Sequence, residues 1–150
     1  MAERPAKDFM IILRRLFLAF TLAFLAACSD NNQQTDYIPY VSVNEQINLT
    51  NIQYSALRQD RGFVYLNSGL RGIIIVRKSS NRYLAFERNC PYQPYDTCAT
   101  VKVDASSLFL QDDCCGSQFD FDGGVIAGPA NLPLKQYATS LNGNLLYISN

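Results

Sequence analysis

Residues 63–87, FVYLNSGLRGIIIVRKSSNRYLAFE, hold three short β-branched and aromatic runs divided by two groups of turn formers. Phe63-Val64-Tyr65-Leu66 is separated by Asn67-Ser68-Gly69 from Gly72-Ile73-Ile74-Ile75-Val76, and the two runs read as a hairpin. Lys78-Ser79-Ser80-Asn81 breaks the chain before Arg82-Tyr83-Leu84-Ala85-Phe86-Glu87 resumes it. Upstream, Val41-Ser42-Val43 alternates, and Ile47 and Leu49 continue that face. Downstream, Ser107-Leu108-Phe109-Leu110 reads as a short strand. Asn142-Gly143 lies between Tyr137-Ala138-Thr139 and Leu145-Leu146-Tyr147-Ile148, and Asn-Gly is the favoured two-residue hairpin turn because both positions take positive φ at low cost. Only Ile52–Arg58, IQYSALR, has helical spacing, with Ile52, Ala56 and Leu57 on one side, enough for one turn. There is no repeat at a solenoid period. The fold class is all-β, a small antiparallel barrel or sandwich.

The chain has 150 residues and 48% apolar composition, which suits one domain. Thirteen Lys and Arg balance thirteen Asp and Glu, and the charged fraction of 17% provides no basic field to hold nucleic acid by its phosphates. Histidine is absent. That excludes Ser-His-Asp and Cys-His catalysis and every His-ligated zinc or iron site.

The amino terminus supplies an address. Arg4, Lys7, Arg14 and Arg15 precede the uncharged run LFLAFTLAFLAA, Leu16 to Ala27. Twelve residues at 1.5 Å each reach about 18 Å, short of the roughly 30 Å hydrocarbon core, so the run reads as a removed signal peptide over residues 1–27. Met10 to Ala27 is a complete signal by itself. Leu25-Ala26-Ala27-Cys28 resembles the lipobox of bacterial lipoproteins, which makes Cys28 the lipid-modified first residue of the mature chain. Two or more acyl chains on Cys28 suffice for stable anchoring without a membrane span. Ser29 to Asp36, SDNNQQTD, has no apolar residue, so residues 28–39 read as a tether and residues 40–150 as the folded domain. The expected location is the bacterial cell envelope, on a membrane facing the periplasm or exterior.

The remaining four cysteines fall between positions 90 and 115: Cys90-Pro91-Tyr92, Cys98, and Cys114-Cys115-Gly116-Ser117-Gln118-Phe119-Asp120. The outer groups each follow an expected strand, so two neighbouring loops present sulfurs toward each other. Four cysteines allow three connectivities, and adjacent Cys114 and Cys115 cannot pair without a strained ring, which leaves two. A four-cysteine metal site is disfavoured, because the spacings contain no CxxC-type chelate. Outside the cytoplasm such thiols are expected to oxidise.

This arrangement resembles the Rieske family, whose [2Fe-2S] site uses CxH on one loop and CxxH on a second, followed by Gly-Ser-x-Phe, with a disulfide joining the loops. Gly116-Ser117-Gln118-Phe119-Asp120, Gly128-Pro129-Ala130 and Pro133-Leu134 with Tyr137 look like the family's region after the second loop. The resemblance implies a Rieske-like β-barrel or sandwich and places Cys90 at the first ligand cysteine and Tyr92 at the first ligand histidine. It places Asp112 at the second ligand cysteine, Cys115 at the second histidine and Cys114 at the loop-bridging cysteine. One ligand of four is retained, so an ordinary Rieske centre is excluded. The same register implies disulfides Cys98–Cys114 and Cys90–Cys115.

Asp112-Asp113 and Asp120-x-Asp122 lack calcium-loop spacing and read as turn formers. Pro91-Tyr92-Gln93-Pro94-Tyr95 reads as either a ligand-facing aromatic patch or a packed loop. Ser117 has no imidazole to activate it, and neither Lys102 nor Lys135 has a spacing that makes it the base. No CxxC precedes a helix, which disfavours thiol-disulfide catalysis by Cys114-Cys115. The expectation is therefore a non-enzymatic envelope lipoprotein with no metal and no cofactor, a structural or partner-binding module for an envelope protein. The alternative is an electron-transfer protein with a non-standard 2Fe-2S site.

Overall fold

The computed structural model describes residues 38–150. The expected signal peptide, Cys28 and nearly all of the tether lie outside the described residues. Ile38, assigned to the tether, is buried, so the packed chain reaches back at least that far.

The strands are β1 (Asn44–Asn48), β2 (Phe63–Leu66), β3 (Ile73–Ser79), β4 (Arg82–Glu87) and β5 (Val101–Val103). They continue with β6 (Leu110–Asp112), β7 (Gln118–Phe119), β8 (Val125–Ala127), β9 (Gln136–Asn142) and β10 (Leu145–Ser149). A 3₁₀-helix spans Ile52–Arg58. Six strands form one sheet in the order β1-β10-β9-β4-β3-β2, and four form a second in the order β5-β6-β7-β8. All pairings are antiparallel.

The continuous apolar run Ile73–Val76 is explained by burial on both faces of β3. Ile74 and Val76 stand beside Phe86 and Leu84 of β4 and pack against Val101, Leu110 and Phe119 of the second sheet. Ile73, Ile75, Tyr83 and Ala85 face the other way, against Ile47, Leu57, Leu146 and Ile148. Ile47 and Leu146 belong to strands at the far end of the same sheet, so that sheet must curl to bring them over β3. The larger sheet is thus a curled half-barrel, with the second sheet packed against its other face.

The expected hairpin of β2 and β3 forms with Leu66 opposite Ile73, and β4 occupies the expected residues. Three expectations shift. Residues 41–43 are not a strand, because the Val43 N–H and Val41 carbonyl bond to the side chain of Asn150. Ser107 to Phe109 lies in a turn organised by Asp104, which accepts from the Ser106 N–H at 2.8 Å, and the strand begins at Leu110. In the last hairpin Asn142 pairs with Leu145, so the loop is Gly143-Asn144, and Gly143 alone takes positive φ, at +59°. The 3₁₀-helix buries Leu57, while Ile52 and Ala56 are exposed.

Candidate functional site

The site is built where β4 and β6 release the chain into neighbouring loops. After β4 the chain leaves for residues 88–100 and returns through a bridge between Asn89 and Thr100, with Val101 N–H donating to the Arg88 carbonyl at 2.7 Å. Arg88 crosses above the Tyr65 ring at 4.3 Å and donates from Nε to the Val101 carbonyl. Arg71 holds the loop from outside through bonds to the carbonyls of Asp96 and Thr97, and Asn89 holds it from inside through Pro94. The second loop is the tight connection of β6 to β7. Asp112 N–H donates to the Ser117 carbonyl, and Asp112 Oδ1 accepts from the Cys114 N–H at 2.8 Å.

Cys98 and Cys114 are disulfide-bonded and join the two loops, in the pairing the resemblance implied. Cys90 and Cys115 are not bonded. Their sulfurs stand 3.8 Å apart as separate thiols, which corrects the expected second disulfide. Each sulfur is already engaged with its own surroundings. Cys115 donates to Ser117 Oγ at 3.0 Å and lies 3.5 Å from Asp112 Oδ2, while Cys90 is fully buried in the core between the sheets.

The donor atoms of Cys90, Asp112 and Cys115 therefore all lie within 4.8 Å of one another. Cys90 and Asp112 are fully buried, and Cys115 is half-buried. Burial pushes the Cys90 thiol far above its ordinary value; the Asp112 carboxylate and Cys115 push the same way, against the Tyr92 N–H, which favours thiolate. No Lys or Arg forms an ion pair with Asp112 among the described residues. Three of the four residues that the resemblance assigned to degenerate cluster positions are thus together. Tyr92, the fourth, packs half-buried against the same core but contributes no atom to the group. Tyr95 is 62% exposed, so the aromatic segment is part packed loop and part surface.

Sequence reasoning undervalued Ser117 and Glu87. Ser117 is fully buried, and its Oγ accepts from the Ala130 N–H at 3.1 Å and from Cys115, tying the Gly-Pro-Ala segment to the second loop. Glu87 is a buried carboxylate that accepts from the N–H groups of Leu70, Arg71 and Asn89 and from the Tyr137 hydroxyl. The only sequence signal for it was a charge closing an apolar strand.

The fold is a Rieske-like all-β fold. Among solved structures the chain is similar to the cyanobacterial plasma membrane Rieske protein PetC3 from Synechocystis PCC 6803, with a TM-score of 0.52 and 20% sequence identity, over 74% of this chain and 100% of that one. No family model and no curated protein matches the chain.

The cluster such a fold carries does not fit these residues. A Rieske centre needs two cysteines on one iron and two imidazoles on the other, and the chain has no histidine. Ligands on different irons must also stand farther apart than the edge of one coordination sphere, because two metals and their bridging sulfides lie between them. The three donors here are gathered at the scale of a single ion.

Proposed function

We propose that the chain is a lipid-anchored protein of the bacterial envelope whose Rieske-like domain has lost the standard cluster and serves as a structural or partner-binding module. The observation that carries this reading is the replacement of both imidazole positions, by Tyr92 and Cys115, in a domain whose fold is otherwise retained. Leu25-Ala26-Ala27-Cys28 supports the anchor. The location of PetC3 in a plasma membrane supports a membrane-associated site, and among the described residues no helix is long and apolar enough to cross a membrane.

The test is to express the chain with its own signal and purify it from the membrane fraction. The expected product has an acylated Cys28 and no absorbance between about 400 and 600 nm. Stoichiometric iron with visible absorbance would instead establish the electron-transfer alternative, and an unprocessed or unacylated amino terminus would remove the anchor.

A further inference from the structure

We infer that Cys90, Asp112 and Cys115 form a binding site for one borderline-soft divalent ion, Zn²⁺, which clips the two loops together. The inference rests on the absence of a two-iron cluster in the reading above, but not on the lipid anchor or on a partner.

Geometry carries it. Two thiolates on one tetrahedral ion with bonds near 2.3 Å are separated by about 3.8 Å, and a thiolate and a carboxylate oxygen on such an ion by about 3.6 Å. The Cys90 and Cys115 sulfurs stand 3.8 Å apart, and the Cys115 sulfur lies 3.5 Å from Asp112 Oδ2. Two edges of a coordination tetrahedron are therefore already formed. The third donor pair closes within 4.8 Å, a distance that a small rotamer adjustment reduces.

A second observation points to a cation. Asp112 is a fully buried carboxylate whose Oδ1 is spent on the Cys114 N–H, while Oδ2 faces only sulfur. A carboxylate removed from water is costly without a positive partner, and the described residues supply no basic side chain to it. A metal ion would be that partner. The mixed S₂O donor set suits Zn²⁺, since Cu⁺ prefers an all-sulfur shell and Mg²⁺ or Ca²⁺ an all-oxygen one. Three protein ligands leave a fourth position for water on the half-buried Cys115 side. Binding exchanges the two thiol protons for the ion, with no change of oxidation state. The Ser117 hydroxyl can then donate to the Cys115 thiolate while its oxygen keeps the Ala130 N–H.

The experiment uses the chain purified without reductant, so that Cys98–Cys114 stays intact. It is stripped with a chelator and titrated with Zn²⁺ and then Co²⁺. One ion per chain is expected, with release of about two protons near neutral pH and, for Co²⁺, thiolate charge-transfer and tetrahedral ligand-field bands. Cys115→Ser should abolish most of the charge-transfer intensity. Asp112→Asn should keep it but weaken Zn²⁺ binding about 10-fold or more. If either variant misfolds, the cobalt spectrum of the unmodified chain decides. A metal-free chain whose two thiols stay alkylatable in Zn²⁺, or one with Cys90 and Cys115 oxidised together, overturns this inference alone. Two irons with acid-labile sulfide overturn both it and the proposed function.

Discussion

Glu87 lies on the face of β4 that also carries Tyr83 and Ala85, yet its carboxylate is satisfied by four donors from three separate segments. It fixes where the loop of residues 67–72 and the start of the first cysteine loop sit relative to β9. Glu87→Gln turns one acceptor atom toward donors it cannot serve, and should cost about 2–3 kcal/mol in urea unfolding. Tyr137→Phe removes one charge-assisted bond and should cost about 2 kcal/mol. Burial, and then Glu87, raise the Tyr137 phenol above its ordinary value of 10.0. A raised folded-state value means the contribution is fully present below pH 10 and lost as pH rises beyond it, when the unfolded phenol ionises first. The alkaline loss of stability above about pH 10 should therefore be shallower in Tyr137→Phe than in the parent chain. Equal slopes would mean that this hydroxyl does not titrate differently on unfolding. Gly128 is a sharper probe of the site. It has φ +90°, and a Cβ there would stand 2.5 Å from Ser117 Cα and 2.8 Å from the Gly116 carbonyl oxygen. Gly128→Ala should cost about 2–4 kcal/mol, whereas Gly116→Ala, with open space around its Cβ, should cost only about 1 kcal/mol of backbone strain. Thermal unfolding of the two variants side by side checks the contrast.

At the scale of elements, the disulfide Cys98–Cys114 and the 88–100 loop determine how rigidly the site is held. Closing a loop of sixteen residues contributes about 3 kcal/mol on the chain-entropy model. A Cys98→Ala, Cys114→Ala chain should lose about that much, and amide exchange should speed up in both loops together while β3 and β4 stay protected. Exchange that rises in one loop only would show that the bond does not couple them. The same elements show what the sequence could disclose. β2, β3 and β4 were legible because Phe63–Leu66, Ile73–Val76 and Arg82–Glu87 are long enough for pattern and turn signals to agree. β5, β7 and β8 have two or three residues each, too few for any period to register, and exist through pairing with neighbours. Asp112 illustrates the limit at the site. Its turn-forming role was readable from local spacing, and its second oxygen meets Cys115 within the same β6–β7 turn, but Cys90 joins the pair only because the loop from β4 lies beside that turn. The Cys98–Cys114 pairing followed from the likeness of Gly116-Ser117 to the Rieske pattern, while the state of Cys90 and Cys115 depended on sulfur positions no spacing encodes.

Over the whole molecule, the fold is Rieske-like, and the chain has no histidine to place at its loop tips. The two sheets pack through Ile74, Val76, Phe86, Leu110 and Phe119, all apolar side chains. The domain should accordingly fold cooperatively whether or not iron is supplied during expression, and growth with and without added iron should give the same unfolding midpoint. Cys28→Ser should move the protein out of the membrane fraction or leave it unprocessed, as read by fractionation and intact-mass measurement. The claim that this fold carries no two-iron centre is tested most directly by electron paramagnetic resonance of the dithionite-treated protein, with iron and acid-labile sulfide measured on the same sample. The account predicts no signal from a reduced [2Fe-2S] centre and no sulfide; a signal of that type with two irons and two sulfides per chain would contradict it.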